Sequence, residues 1–165
     1  MRRLFGNFDG ACEPKNPGGR ATCGWLWKDE SGVILAQAPV DKGTKTTNTN
    51  NFAEYWAALY ALQWLYKARA DSDPAWVCEL RGDSQLVVRQ VSGEYACNSA
   101  ALRDLRDAVR RGIKKLDARG CSVVLRWVPR EENAEADALS KSLYSAAERA
   151  EIARVEAWRK SQKRR

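Results

Sequence analysis

The sequence predicts one α/β domain, a mixed five-stranded sheet flanked by helices in the order β-β-β-α-β-α-α-β-α. Three strand-like segments come first, two of them joined as a hairpin, and strand and helix patterns alternate after them. This order is typical of a mixed sheet with helices on its faces. The 165 residues are 44% hydrophobic and include seven tryptophans, so the chain is long and apolar enough to bury a core.

The predicted strands are apolar or alternating segments bounded by turn residues. The first covers residues 2–12. The second and third form a hairpin over residues 21–40, in which Gly32 supplies the positive φ that the turn requires. Residues 75–82 and 121–129 predict two further strands.

The predicted helices follow these strands. Residues 47–65 carry apolar side chains on nearly every side, which predicts a helix packed against the sheet. Residues 83–93 predict a short helix, and residues 98–120 an amphipathic helix that ends at Gly120. A last helix is predicted from Asn133 toward the C-terminus.

The C-terminal segment is strongly basic. We expect the folded domain to cover residues 1–147 and a basic helical extension to cover residues 148–165. The cations of this tail either contact phosphate groups or lie in solvent at a frayed end, and the sequence leaves both open. The whole chain has 28 Lys and Arg against 21 acids, a net charge of +7, which favours a polyanionic partner.

Composition excludes several classes of protein. No apolar run approaches the roughly 20 residues of a membrane helix, and no signal-peptide pattern opens the chain, so we expect a cytoplasmic protein that does not bind a membrane. The five scattered cysteines predict reduced thiols in a core. Because histidine is absent, a Cys/His zinc site and the usual histidine base are excluded. Nothing indicates an obligatory protein partner.

Four carboxylates lie where one predicted element ends or the next begins: Asp9, Glu54, Asp83 and Asp137. Each has a local explanation that the sequence leaves open. These are an Asx turn for Asp9, a capping box with Asn51 for Glu54, an N-cap for Asp83 in competition with Ser84, and an ion pair with Lys141 for Asp137.

A shared explanation is that the four acids converge. Sites in open sheets gather at the carboxyl ends of strands, where the next elements begin. Converging carboxylates repel one another unless cations neutralise them, and Mg²⁺ or Mn²⁺ prefers such oxygen ligands. A metal ligand at Glu54 would also explain why an acid lies on an apolar helix face.

Four stretches together carry a family resemblance: "FDGAC…NPGG", "TNNFAEYWAAL", "GDSQLVVRQVSGEY" and "VPREENAEADALSKS". In order and spacing they resemble type 1 ribonuclease H over roughly residues 4 to 147, in the compact form without a Lys/Trp-rich helix. The resemblance implies a ribonuclease H-like fold and an endonuclease that cuts the RNA strand of an RNA–DNA hybrid.

The resemblance also implies roles for residues. Two Mg²⁺ or Mn²⁺ ions are expected with substrate, held by the catalytic set Asp9, Glu54, Asp83 and Asp137. Five amide side chains are expected to bind substrate: Asn16, Asn50, Asn51, Gln85 and Asn133.

Two departures from the family pattern stand out. The loop before the last acid is shortened to "VPREEN" and lacks the histidine that many relatives carry, so Arg130, Glu131 or Glu132 substitutes for it, or nothing does. The first glycine-rich turn carries an extra residue between Asp9 and Asn16.

Two other functions stay open: a catalytically silent hybrid-binding adaptor, and a metal-dependent nuclease of the same fold that acts on DNA junctions.

Overall fold

The computed structural model describes residues 1–164, and within this range it contains five strands and five helices. The strands are β1 (Arg2–Glu13), β2 (Arg20–Asp29), β3 (Ile34–Thr44), β4 (Trp76–Gly82) and β5 (Cys121–Trp127). The helices are α1 (Asn50–Ala68), α2 (Gln85–Ser92), α3 (Ala100–Asp117), α4 (Ala134–Lys141) and α5 (Ala146–Lys163), and a 3₁₀ turn (Arg130–Asn133) precedes α4.

The five strands form the predicted single mixed sheet, and their order in it is β3-β2-β1-β4-β5. β2 is antiparallel to both β1 and β3, whereas β4 is parallel to both β1 and β5. The last β1–β4 pair joins Asn7 to Arg81. Asp9 therefore lies just beyond the parallel pairing on β1, and Asp83 directly follows β4, at the same edge of the sheet.

The core lies mainly between the sheet and α1, which also packs against α3. α1 is buried along most of its length, and its backbone is tied to the sheet where the Trp27 indole Nε1 donates to the Ala61 carbonyl at 3.0 Å. α4 contacts β1 and β2. The sheet and α1 thus form a rigid frame whose carboxyl edge carries the predicted acids.

The cysteines and the turn at Gly32 follow the sequence predictions. All five cysteines are free and buried, and Gly32 has a φ of 86° in the β2–β3 turn. Within residues 1–164, no helix combines the length and the apolar character that crossing a membrane requires.

The single final helix predicted from Asn133 is wrong, because two helices separated by residues 142–145 occupy this segment. Ser145 starts α5 with a capping box: its hydroxyl accepts from the Glu148 N–H at 3.2 Å, and the Glu148 carboxylate accepts from the Ser145 N–H at 2.7 Å. The cap supplies partners for amides that a new helix leaves unpaired. The division into residues 1–147 and 148–165 stays a prediction, and α5 begins just before it.

Candidate active site

Three of the predicted acids meet at the carboxyl edge of the sheet. Asp9 comes from β1, Glu54 from the second turn of α1, and Asp83 from the residue after β4; one carboxylate oxygen of each lies within 4.8 Å of the others. Asp137, in the first turn of α4, lines the same cleft, which has a volume of about 570 Å³. The fold thus brings all four acids to one cleft, with Asp137 outside the tightest group.

Two glycines allow this convergence because helices approach the strands closely there. A Cβ at Gly10 would lie 2.2 Å from the Glu54 backbone nitrogen, so only glycine lets the start of α1 rest on β1. A Cβ at Gly24, which pairs with Asp9 across β1 and β2, would lie 2.4 Å from the Ala136 carbonyl oxygen. The two contacts bring α1 and α4 to either side of Asp9.

The capping box that was one open explanation for Glu54 is not formed. Thr49 is the N-cap of α1, and its hydroxyl accepts from the Phe52 N–H at 3.0 Å. Glu54 lies one turn further on, only 7% exposed, and its Oε2 atom is buried without a hydrogen-bond partner among the described residues. A buried carboxylate oxygen with no donor is costly, so this atom needs a cation or a proton.

The local explanations of the other three acids differ in outcome. Asp9 is extended within β1 and makes no Asx turn. Ser84, not Asp83, caps α2 by accepting from the Val87 N–H at 3.2 Å. The ion pair of Asp137 with Lys141 is present at 3.0 Å. It holds the Asp137 carboxylate in the cleft next to the other acids.

The electrostatics of the cluster favour protonation or cation binding. Burial, followed by the charges of Asp83 and Asp137, raises the pKa of Asp9 to about 7. Burial and then the Asp9 charge raise the pKa of Glu54 well above its ordinary value. Burial also raises the pKa of Asp83, although the Arg130 guanidinium opposes this. Three crowded carboxylates that resist ionisation are the arrangement that a bound cation relieves.

The residues therefore fit a hard divalent cation. The donor atoms are all carboxylate oxygens, three of them lie close together, and the buried Glu54 Oε2 has no hydrogen-bond partner within residues 1–164. Asp9, Glu54 and Asp83 could hold the ion directly, and Asp137 could join them from the side of the cleft.

Three of the predicted amide side chains also line the cleft: Asn50, Asn51 and Gln85. The Asn50 carbonyl oxygen accepts from the Cys12 N–H at 2.8 Å, which leaves its NH₂ group for the cleft. Asn16 is exposed and does not line the cleft; its carbonyl oxygen accepts from the Asn50 N–H at 3.1 Å. Asn16 therefore supports Asn50 from outside.

Asn133 is 1% exposed and differs from the other four amides. Its NH₂ group donates to the Phe8 carbonyl at 3.0 Å, and its carbonyl oxygen accepts from Asn7 at 3.0 Å. It also lowers the pKa of Asp83 through a side-chain hydrogen bond, after burial, Arg130 and Asp137 in order of effect. These contacts support a positioning role beside Asp83, and the predicted substrate contact of Asn133 stays a prediction.

Sequence reasoning missed two residues of the site. The Ser140 hydroxyl, fully buried, lies 3.0 Å from Asp9 Oδ2 and 2.8 Å from the Asp137 carbonyl oxygen, so it links two of the acids. Trp127, at the end of β5, lines the cleft and donates from its indole Nε1 to the Asp83 carbonyl at 3.2 Å. The position of Trp127 at the carboxyl end of a predicted strand could have indicated that it belongs to the site. No feature of the sequence around Ser140 indicated this.

In the shortened loop, Arg130 lines the cleft, whereas Glu131 and Glu132 are exposed and do not. Of the three residues that could substitute for the family's histidine, only Arg130 is therefore placed beside the acids.

A carboxylate cleft at the carboxyl edge of a mixed sheet in the order β3-β2-β1-β4-β5 defines the ribonuclease H-like class. Comparisons with known proteins agree. The family model described as reverse transcriptase-like matches residues 7–143. The ribonuclease HI of Halobacterium salinarum is 38% identical over 138 residues, which are 84% of this chain and 62% of that protein. The chain thus spans less than two thirds of the length of that relative.

Solved structures give the same result. The crystal structure of ribonuclease H1 from Halobacterium salinarum superposes with a TM-score of 0.72 at 34% identity, covering 85% of this chain and 96% of that one. LC11-RNase H1 in complex with an RNA/DNA hybrid superposes with a TM-score of 0.74 at 29% identity, covering 84% of this chain and 94% of that one. The chain belongs to the type 1 ribonuclease H family.

Proposed function

We propose that this protein is an endonuclease that hydrolyses the RNA strand of RNA–DNA hybrids with divalent cations. The observation that carries the proposal is the cluster of Asp9, Glu54 and Asp83, whose oxygens lie within 4.8 Å of one another in a cleft that also holds Asp137. The identity to ribonuclease HI and the likeness to a structure with bound RNA/DNA hybrid support the choice of substrate.

Mg²⁺ or Mn²⁺ is the proposed cofactor, two ions being expected once substrate is bound. When bound, these ions activate water for attack on a phosphodiester and neutralise the charge that develops on the leaving oxygen. The chain's own acids hold and orient the ions. Ser140 fixes the orientation of Asp9, and the Lys141 ammonium at 3.0 Å keeps Asp137 directed into the cleft.

The amide side chains explain how ribose would be distinguished from deoxyribose. The 2′-OH is both a donor and an acceptor, and groups with both functions read it best. Asn50, Asn51 and Gln85 supply such groups beside the acids. Asn16 holds Asn50 in place through the backbone, so its effect on substrate would be indirect.

The test is a cleavage assay with labelled RNA–DNA hybrid, double-stranded RNA, DNA duplex and a four-way junction, each with Mg²⁺ or Mn²⁺. We expect cleavage of the RNA strand of the hybrid alone. Asp83→Asn should remove nearly all cleavage while the fold and hybrid binding remain. Asp117→Asn, an exposed acid at the end of α3, is the matched control and should cleave normally.

Other outcomes identify the alternatives. Hybrid binding without cleavage by the parent chain would indicate a silent adaptor, and cleavage of the junction alone would indicate a junction nuclease. Calorimetric titration with Mg²⁺ gives an independent readout, because Asp83→Asn should weaken metal binding and Asp117→Asn should not.

Five free, buried thiols support the proposed cytoplasmic location, where reducing conditions keep thiols unpaired.

A further inference from the structure

Helix α5 lies outside the part of the chain that the family model matches, which ends at residue 143. None of its described residues is buried, so it adds little to the core. Its charges are mixed up to Glu156 and only basic after it. The acids are Glu148, Glu151 and Glu156, and after them every charged residue up to 164 is a cation: Arg159, Lys160, Lys163 and Arg164. We call these four residues the tail cluster.

One member of the tail cluster, Arg159, contacts the loop that borders the catalytic cleft. The start of α5 is fixed by an ion pair between Glu148 and Arg20 at 2.8 Å. Further along, Arg159 Nη2 donates to the Pro14 carbonyl at 3.3 Å. The preceding residue, Glu13, lines the cleft, and its pKa is raised by burial and then by Glu156, with Arg159 opposing. α5 therefore runs past the β1–β2 loop and carries Arg159 to the rim of the cleft, with the other three cations following on the next turn of the chain.

The surroundings of the tail cluster favour a nucleic acid over other polyanions. Trp158 is 63% exposed next to Arg159 and forms a shallow groove with Arg154 and Val155. Cations that follow a phosphate backbone beside an exposed aromatic ring are typical of nucleic-acid-binding surfaces. The described residues of α5 do not form the wide apolar face that a helix lying in a membrane surface requires.

We propose that the tail cluster binds backbone phosphates of the duplex whose scissile strand lies in the cleft. The assignment rests on the proposed function, since it takes the duplex in the cleft as the source of the phosphates. It adds a binding surface that holds the duplex by charge alone and takes no part in the chemistry. The contribution of the tail cluster to duplex affinity should therefore be the same for ribose and deoxyribose strands and should fall as the salt concentration rises.

The test compares two full-length variants that lose the same charge. The tail variant carries Arg159→Gln, Lys160→Gln, Lys163→Gln and Arg164→Gln. The control variant carries Arg3→Gln, Lys67→Gln, Lys114→Gln and Lys115→Gln, at the end of the sheet opposite to the cleft. Binding of a 20-base-pair hybrid (about two helical turns) and of a DNA duplex is measured by fluorescence anisotropy in the Asp83→Asn background, over a range of salt concentrations.

We expect the tail variant to flatten the plot of log affinity against log salt by about 0.9 for each lost contact, up to about 3.6 for four. At 0.15 M salt each contact corresponds to roughly five-fold in affinity, for the hybrid and the DNA duplex alike. In the cleaving protein, the tail variant should raise KM by the same factor and leave kcat unchanged. The control variant should change these quantities far less.

A tail variant that matches the control in salt slope and KM, while the parent chain cleaves hybrid, overturns the assignment and leaves the proposed function intact. Tail-dependent binding to vesicles that contain anionic lipid, without an effect on duplex binding, overturns it as well. A parent chain that neither binds nor cleaves hybrid overturns the proposed function first, and this assignment with it.

Discussion

Asp9→Asn should stabilise the protein when metal is absent, although it removes a carboxylate from the centre of the site. Burial and neighbouring charges raise the pKa of Asp9 from 3.8 to about 7. A carboxyl with a raised pKa contributes its full stability below pH 3.8 and loses it as the pH rises through 7. Asparagine has the same shape without the charge, and its carbonyl oxygen can still accept from Ser140.

The size of the effect follows from the two pKa values. With 3.8 in the unfolded chain and about 7 in the folded one, the raised pKa of Asp9 costs about 2 kcal/mol at pH 5, where the folded carboxyl is still protonated, and about 4 kcal/mol at pH 8, where it is ionised. These are upper limits, because Glu54 and Asp83 share the repulsion and relax together. For a chain of this size, 1 kcal/mol shifts Tm by roughly 2–4 °C. The variant should therefore melt several degrees higher than the parent at pH 8.

The assay is thermal unfolding of both proteins at pH 5 and pH 8, in EDTA and in excess Mg²⁺. In EDTA, the advantage of Asp9→Asn should grow by about 2 kcal/mol between pH 5 and pH 8. In Mg²⁺, the parent should gain stability at pH 8 and the variant should gain less. The reasoning is refuted if the variant is less stable than the parent in EDTA at pH 8, or if Mg²⁺ stabilises both equally.

Three further predictions concern single residues. Glu54→Gln should abolish cleavage without lowering Tm in EDTA, because Glu54 is not the cap of α1. Thr49→Ala should cost about 1 kcal/mol of stability and keep cleavage, because Thr49 is the cap. The reverse pattern in melting and cleavage assays would favour a capping role for Glu54. Gly10→Ala should cost about 3 kcal/mol in denaturant unfolding, because its Cβ would meet the Glu54 nitrogen at 2.2 Å; unchanged stability would contradict the close approach of α1. Ser140→Ala should weaken Mg²⁺ binding roughly ten-fold by calorimetry, and an unchanged affinity would show that Asp9 is oriented without it.

Much of this site was readable from the sequence because its determinants are local. Turn chemistry and hydrophobic periodicity locate the places where elements begin and end, and all four acids lie near such places. Asp83 directly follows β4 and Asp137 lies in the first turn of α4, whereas Asp9 lies inside β1 and Glu54 in the second turn of α1. The Gly32 turn and the apolar helix α1 follow from patterns only a few residues long. The break before α5 was readable too, since Ser145 and Glu148 have the spacing of a capping box.

What the sequence by itself determined is therefore most of the elements, except the division of the last helix, and the four acids near their ends. Only the tertiary structure decided which groups touch. Ser140 lies 131 positions from Asp9, and their contact depends on the strand register and on the close approach of α4 at Gly24. The burial of Asn133 and the course of α5 past the β1–β2 loop depend on the same long-range packing. No local pattern encodes these distances, because they are set by how distant segments fit together.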